Sequence, residues 1–200
     1  MHEPHDQQDL QGHRASMARN HGNPVSQSPR PSRSAEELAE MMRHIGYEVL
    51  SCAMCTRLLR VYPVTESAPL EDPRTTVYNA LLEAQLIHAR NVIELLVRPL
   101  PPQPGHDDLL RTDFGPDWTP TPPASGAHAR LSQAWEPINK HLAHLSWTRA
   151  KSGKAWRTDH LGTDTLTVAR AWNEHVAVSA PVLASALRPY LVWAQKTQVR

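Results

Sequence analysis

Apolar residues return every three or four positions along four stretches of this chain, and no stretch of useful length alternates apolar with polar residues as a half-buried strand would. That periodicity restricts the chain to helices packed on helices, with prolines marking where helices can begin and end. The expected fold is all-α, a four-to-five-helix bundle. The expected order is a disordered N-terminal tail over residues 1–33, then one bundle domain over residues 34–200 with a long Pro-rich loop between its second and third main helices.

The first helix opens at Ser34-Ala35-Glu36-Glu37, which has the capping-box form of a Ser hydroxyl with a Glu three residues on. Leu38, Met41, Met42, Ile45, Val49, Cys52 and Leu59 follow at helical spacing, to about Arg60 and short of Pro63. Asp72-Pro73 signals a second start, an N-cap with Pro at the first helical position. Its main stripe is Val77, Leu81, Ala84, His88, Val92 and Leu95, widened by Leu82, Leu86, Ile93 and Leu96, and it ends near Arg98 because Pro99 to Pro102 forbids continuation.

The loop from Pro99 to about Ala127 is unusually long for a compact domain, and Asp113 to Trp118 (DFGPDW) supplies two aromatics that could hold its middle against the helices. A third helix carries Leu131, Trp135, Ile138, Leu142 and Leu145, with Pro137 expected to bend or break it. A fourth starts after Gly162, capped by Thr163 or Asp164. It carries Leu166, Ala169, Trp172 or Asn173, Val176, Ala180, Leu183, Leu187 and Leu191, with a kink or split at Pro181.

Composition narrows the function classes. The net charge of +1 argues against a whole-surface nucleic-acid binder, though not against a local patch. Such a patch lies between Pro137 and Thr158, where Lys140, Arg149, Lys151, Lys154 and Arg157 occur without an acidic residue, beside Trp147 and Trp156. Cations interleaved with aromatics suit single-stranded nucleic acid, and a solvated loop with two anchoring tryptophans would look the same. Residues 1–33 hold few large apolar side chains and cannot offset their ordering entropy; Arg14, Arg19, Arg30 and Arg33 are their cations. The polar start of the chain has no secretory h-region and no apolar run is long enough to span a membrane, so a soluble cytoplasmic protein is expected.

Several constellations could carry chemistry. His141 and His144 share a helix face at the flank of the Leu142 and Leu145 stripe. They could be core-edge histidines, part of an acid/base or phosphate-contact site with Lys140 and Arg149, or two ligands of a metal completed by His88, His44 or Glu83; H-x-x-H lacks the helper carboxylate that would decide. His88, Arg90 and Asn91 on the second helix form either a structural network toward the third helix or part of that same pocket. Arg170 and His175 have Arg-x4-His spacing, in which Arg could stabilise phosphorane charge and His could act as acid or base on RNA. Cys52 and Cys55 form a C-x-x-C inside a helix, with neither a helix N-terminus nor a second pair, and read as buried thiols.

Leu82 to Leu96 (LEAQLIHARNVIELL), Asp113 to Trp118 (DFGPDW) and Ile138 to Arg149 (INKHLAHLSWTR) together resemble a bacterial all-helical family of uncharacterised activity, frequent in actinobacteria, which is similar to the HEPN superfamily. The resemblance covers roughly residues 70–190. It implies a four- to five-helix bundle that commonly forms homodimers. It further implies either a metal-independent endoribonuclease of toxin–antitoxin or anti-phage systems, with an antitoxin-like protein partner, or an inactive RNA-binding or scaffold form. The superfamily motif, Arg, often a polar residue, then His four to six positions on, matches only Arg170 to His175 here, with Ala171 off pattern.

The leading expectation is therefore a HEPN-like protein engaging RNA or nucleotide phosphate. Arg170, His175 and His144 are its candidate catalytic residues. Lys140, His141, Arg149, Lys151, Lys154 and Arg157 contact phosphate, and His88, Arg90 and Asn91 support them. No cofactor and no metal is expected in that reading. The alternatives are a non-catalytic interaction or scaffold protein of the same fold, and a metal-dependent enzyme using His88, His141 and His144.

Overall fold

The computed structural model describes residues 31–63, 71–105, 107–143 and 159–198. Among them are five α-helices and no strand: α1 (Ala35–Val61), α2 (Pro73–Leu96), α3 (Ala124–Ala143), α4 (Leu161–Ser179) and α5 (Pro181–Gln198), with a 3₁₀ turn at Arg111–Phe114. Both expected start signals form. Ser34 Oγ accepts from the Glu37 amide at 3.1 Å while Ser34 N donates back to Glu37 Oε2 at 2.7 Å. Asp72 Oδ1 accepts from the Arg74 amide at 2.9 Å, with Pro73 opening α2.

α1 and α4 lie at the centre. α1 packs on α2, α4 and most extensively on α5, and α4 touches every other helix. The core runs continuously through Met42, Val49, Leu86, Ile93, Leu131, Ile138, Trp172 and Leu187. Two glycines allow the helices to approach closely. At Gly46 the Tyr190 ring of α5 occupies the space a Cβ would need. At Gly162 a Cβ would strike the Thr56 side chain and sit 3.1 Å from the Ala53 Cα, so α4 crosses α1 nearly backbone to backbone.

Polar groups tie that crossing. Buried Gln85 of α2 donates to Thr56 Oγ1 at 2.6 Å, and Thr56 in turn donates to the Cys52 carbonyl at 2.8 Å. Arg60 Nη2 reaches the Asp159 carbonyl at 2.7 Å, holding the approach to α4 against the end of α1. Cys52 and Cys55 are buried free thiols as expected, and burial pushes the Cys52 thiol up to about 12, opposed in part by a hydrogen bond with Thr165.

Some expectations need correction. Gly162 does not precede the fourth helix but lies inside α4, whose N-cap is His160; Asp164 caps nothing and instead turns into the core. The glycine is there for the crossing, a reason periodicity does not reveal. Pro137 falls within α3 without ending it. The expected α2 stripe is buried in part. Leu86, Val92, Ile93 and Leu96 are buried as expected, with Ala89 beside them, whereas Leu81, Ala84, His88 and Leu95 are half-buried and Val77 is exposed, because a helix apolar around most of its circumference has no unique inner face in its sequence. Of the two outcomes expected at Pro181, the split occurs: α4 and α5 are separate helices joined through Ala180 alone. α3 begins at Ala124, slightly before the expected end of the loop.

Among the described residues no helix is long and apolar enough to cross a membrane. The expected tail falls almost wholly outside the described residues.

The crossing generates a test. Gly162→Ala forces α4 away from Thr56 and Ala53, and should cost about 2 kcal/mol of unfolding free energy in urea titration, in the range of overpacked cores.

Candidate functional site

α4 and α5 run antiparallel as a hairpin: Ala177 near the end of α4 faces Arg188 in the first half of α5, and Arg170 at the middle of α4 meets Gln195 near the end of α5 with Nη1 to Oε1 at 3.3 Å. Their facing stripes leave a groove. On α4 it is walled by Arg170, Asn173, Glu174 and Ala177, at the i, i+3, i+4, i+7 spacing of one helix face, and on α5 by Arg188, Leu191, Val192 and Gln195. One part is a cavity of about 250 Å³ between these residues. A wider cleft of about 510 Å³ adjoins it through the shared Arg170, Glu174 and Gln195, and is closed by Thr121, Pro122 and Pro123 from the loop before α3.

The electrostatics of the groove are unbalanced. Among the described residues neither Arg170 nor Arg188 has a carboxylate within ion-pair distance, although Glu174 lines both compartments. Asn173 is only 6 % exposed, and no donor reaches its Oδ1. In the wider cleft, Gln198 Nε2 is likewise buried without an acceptor. Buried amide atoms are ordinarily hydrogen-bonded; away from the groove, Thr75 Oγ1 is in the same state among the described residues.

Other charged groups are consumed by the fold. Asp164, almost fully buried, takes both arms of Arg130, Nε to Oδ2 at 2.9 Å and Nη2 to Oδ1 at 2.6 Å, which holds that guanidinium firmly charged. His88 Nδ1 donates to Glu48 Oε2 at 2.7 Å, the same oxygen accepts from Asn91 Nδ2 at 3.0 Å, and the Tyr47 ring stands edge-on to His88. The His88 network thus ties α2 to α1 rather than to α3, because Glu48 of α1 supplies the acceptor. Arg90 lies over the Trp135 ring at 5.8 Å and Arg98 at 4.9 Å, so cation–π contacts join α2 to α3. Lys140 pairs with Glu136 at 2.5 Å one turn back on the exposed side of α3.

The remaining expected residues separate into two groups. His144, Arg149, Lys151, Lys154 and Arg157 lie outside the described residues, and so does the side chain of His141, whose backbone belongs to α3. The basic segment and its meeting with His88 therefore fall there too. Among the described residues no group of three His, Cys, Asp or Glu side chains is placed to hold a metal.

Arg170 and His175 are both described, and the helix does not bring them together. Five residues apart on α4, they point about 140° away from each other. His175 turns instead toward the long loop, where Nε2 donates to the Pro116 carbonyl at 3.0 Å. It joins a set of contacts that fasten DFGPDW. Phe114 is buried edge-on to Trp172 at 5.3 Å, and Trp118 is buried near His128. Arg111 donates to the Arg98 carbonyl at 2.6 Å and to Asp117 Oδ1 at 2.8 Å. The Arg111 guanidinium holds the Asp117 carboxyl below its usual range, while burial pushes the His128 imidazole down.

Asn173, Glu174, Arg188 and Gln195 were missed as site residues. Their signal was available as a polar stripe facing a polar stripe across Pro181, but only the hairpin geometry identifies it as a shared wall. His175→Ala should lower thermal stability by about 1 kcal/mol through the lost bond to Pro116, as read by thermal denaturation with near-ultraviolet circular dichroism of Trp118 and Trp172. Comparison of the chain with family models, with curated proteins and with solved structures finds no match.

Proposed function

We propose that the protein is a HEPN-like helical bundle that engages RNA or a nucleotide phosphate through the groove between α4 and α5, with Arg170 and Arg188 as its phosphate contacts. The observation that carries this reading is that Arg170 and Arg188, without carboxylate partners among the described residues, line one groove. Arginine suits phosphate because its planar fork of donors matches two oxygens at once. The reading is of binding rather than cleavage. Strand scission by Arg170 and His175 of one chain would need both groups at one phosphate, and His175 is engaged with the Pro116 carbonyl on another side of the helix.

Titrating fluorescently labelled single-stranded RNA by anisotropy, in EDTA and at several salt concentrations, tests this. Arg170→Gln should weaken binding and reduce the slope of log K against log salt by about 0.7, the contribution of one phosphate contact. The RNA should stay intact with wild type and with His175→Ala alike. An unchanged slope removes Arg170 from the interface, and cleavage abolished by His175→Ala would restore a ribonuclease.

A second reading, an interaction protein working through its helices, is favoured by the outer face of α5. Val182, Ala186, Pro189 and Trp193 recur there at 4-3-4 spacing, with Val182 76 % and Trp193 65 % exposed. The occupant that fits this face is a second copy of the chain. The stripe is self-complementary about a twofold axis, placing Val182 opposite Trp193 of the partner subunit with the small Ala186 and Pro189 at the centre. Two such faces, with Val178 alongside, would bury on the order of 1,000 Å², the lower bound for a specific interface. Light scattering over 1–100 μM should show a dimer that Trp193→Lys turns into a monomer of unchanged helicity. A wild-type monomer at the highest concentration would remove the second copy and leave the face to a different protein.

A further inference from the structure

We infer that Glu174 makes the α4–α5 groove selective for ribose: the ligand carries a 2′-hydroxyl beside its phosphate, so RNA or a ribonucleotide is taken in preference to the deoxy equivalent. This rests on the phosphate-binding reading of the same groove and adds to it the sugar that the groove selects.

Charge alternates along the groove. In the antiparallel register that sets Arg170 against Gln195, Leu191 lies opposite Glu174 and Arg188 opposite Ala177. Glu174 stands one turn of α4 beyond Arg170, about 6 Å along the helix axis, and the level of Arg188 is about 4.5 Å further. The order is therefore guanidinium, carboxylate, guanidinium. Glu174 is exposed and lines both compartments, so a ligand in either can reach it. Among the described residues it has no ion pair and no hydrogen bond, although it lies between two arginines on one wall and the other.

A carboxylate in a site for phosphate opposes binding unless the ligand brings a donor to it. A uniformly anionic chain would meet Glu174 with like charge. A nucleic acid strand is not uniform, because a sugar separates each phosphate from the next. In RNA that sugar carries the 2′-hydroxyl, the donor by which a protein tells RNA from DNA. Phosphates at Arg170 and Arg188 put the intervening ribose at the level of Glu174. A carboxylate accepting the 2′-hydroxyl makes a charge-assisted hydrogen bond, the device by which an acidic side chain holds ribose in dinucleotide-binding folds. Leu191, only 6 % exposed, gives the carbon face of the sugar an apolar surface on the opposite wall. Deoxyribose brings no donor to this level, so the carboxylate gives up water without replacement and still repels the flanking phosphates.

Oligoadenylates of one length with 2′-hydroxyl, 2′-deoxy or 2′-fluoro sugars are compared by anisotropy, beside competition by AMP and 2′-deoxy-AMP. The fluoro sugar keeps the pucker of ribose and lacks the hydroxyl donor, which separates recognition of the donor from recognition of strand shape. The hydroxyl strand should bind about tenfold or more tightly than either of the others. AMP should show the same preference if the ligand is a free nucleotide, and the preference should be confined to the strands if it is RNA. Glu174→Ala should bring the three strand affinities together, mainly by strengthening the deoxy and fluoro forms, at an unchanged melting temperature. Glu174→Gln, which keeps an acceptor oxygen without the charge, should retain part of the preference. Arg170→Gln should weaken all three strands equally. Equal wild-type affinity for the three strands, or a fluoro strand that binds as well as the hydroxyl strand, overturns the ribose reading and leaves the phosphate contacts standing. A preference unchanged by Glu174→Ala does the same. Failure of every ligand to bind removes both readings.

Discussion

The crossing of α4 over α1 at Gly162 is the constraint from which the rest of the arrangement follows. Absence of a side chain lets the first turn of α4 settle onto Ala53 and Thr56. The same spot is where the core admits hydrogen bonds, through Gln85, Thr56 and the Cys52 carbonyl, so α2 is fixed to α1 by direction as well as by apolar area where α4 crosses. Hydrophobic burial alone would allow α4 to rotate or slide. With its start pinned, the stripe Arg170, Asn173, Glu174 and Ala177, beginning two turns further on, has only one direction to face.

The distribution of ion pairs sharpens the contrast between scaffold and groove. Arg130 with Asp164, Arg111 with Asp117, and His88 with Glu48 each join different parts of the chain. Arg90 and Arg98 spend their charge on the Trp135 ring. In each ion pair at least one partner is largely buried, so removing the other leaves it without its partner and these groups are held to their structural tasks. Arg170 and Arg188 are not committed in this way. Among the described residues, several cations of a nearly neutral chain are thus held to the scaffold, whereas Arg170 and Arg188 stand in the groove without a carboxylate partner.

Helix number, order and most boundaries were legible, because capping chemistry and proline are local. Ser34 with Glu37, Asp72 with Pro73, and Pro181 each act within a few residues and declare themselves in the sequence. The inner face of α2 was legible only in part: Leu86, Val92, Ile93 and Leu96 were read as core, but apolar residues cover most of its surface and only the neighbouring helices decide that Val77 stays outside. Gly162 was placed just ahead of the fourth helix for a related reason: a glycine demanded by another helix about 100 residues away in sequence looks like a local breaker. The candidate site divides in the same manner. Arg170 was identified, from a motif, but its neighbours Arg188 and Gln195 come from the far side of a helical hairpin. His175 shared that motif and went elsewhere, because a five-residue step does not return to the same side of a helix. His88 was correctly read as hydrogen-bonded, while its partner Glu48 could not be named from sequence.

The join between α4 and α5 is a single residue, Ala180, before Pro181. So short a connection fixes how the second wall of the groove is turned. Inserting one residue at this point would rotate every later position of α5 by about 100° relative to α4. Arg188 and Gln195 would leave the groove together, and a different set of side chains would take their place. Length variation, the ordinary means by which surface hairpins diversify, is thereby closed to this one. Descendants of the chain can retune the groove only by exchanging side chains in place, and the α4–α5 junction should tolerate neither gain nor loss of a residue.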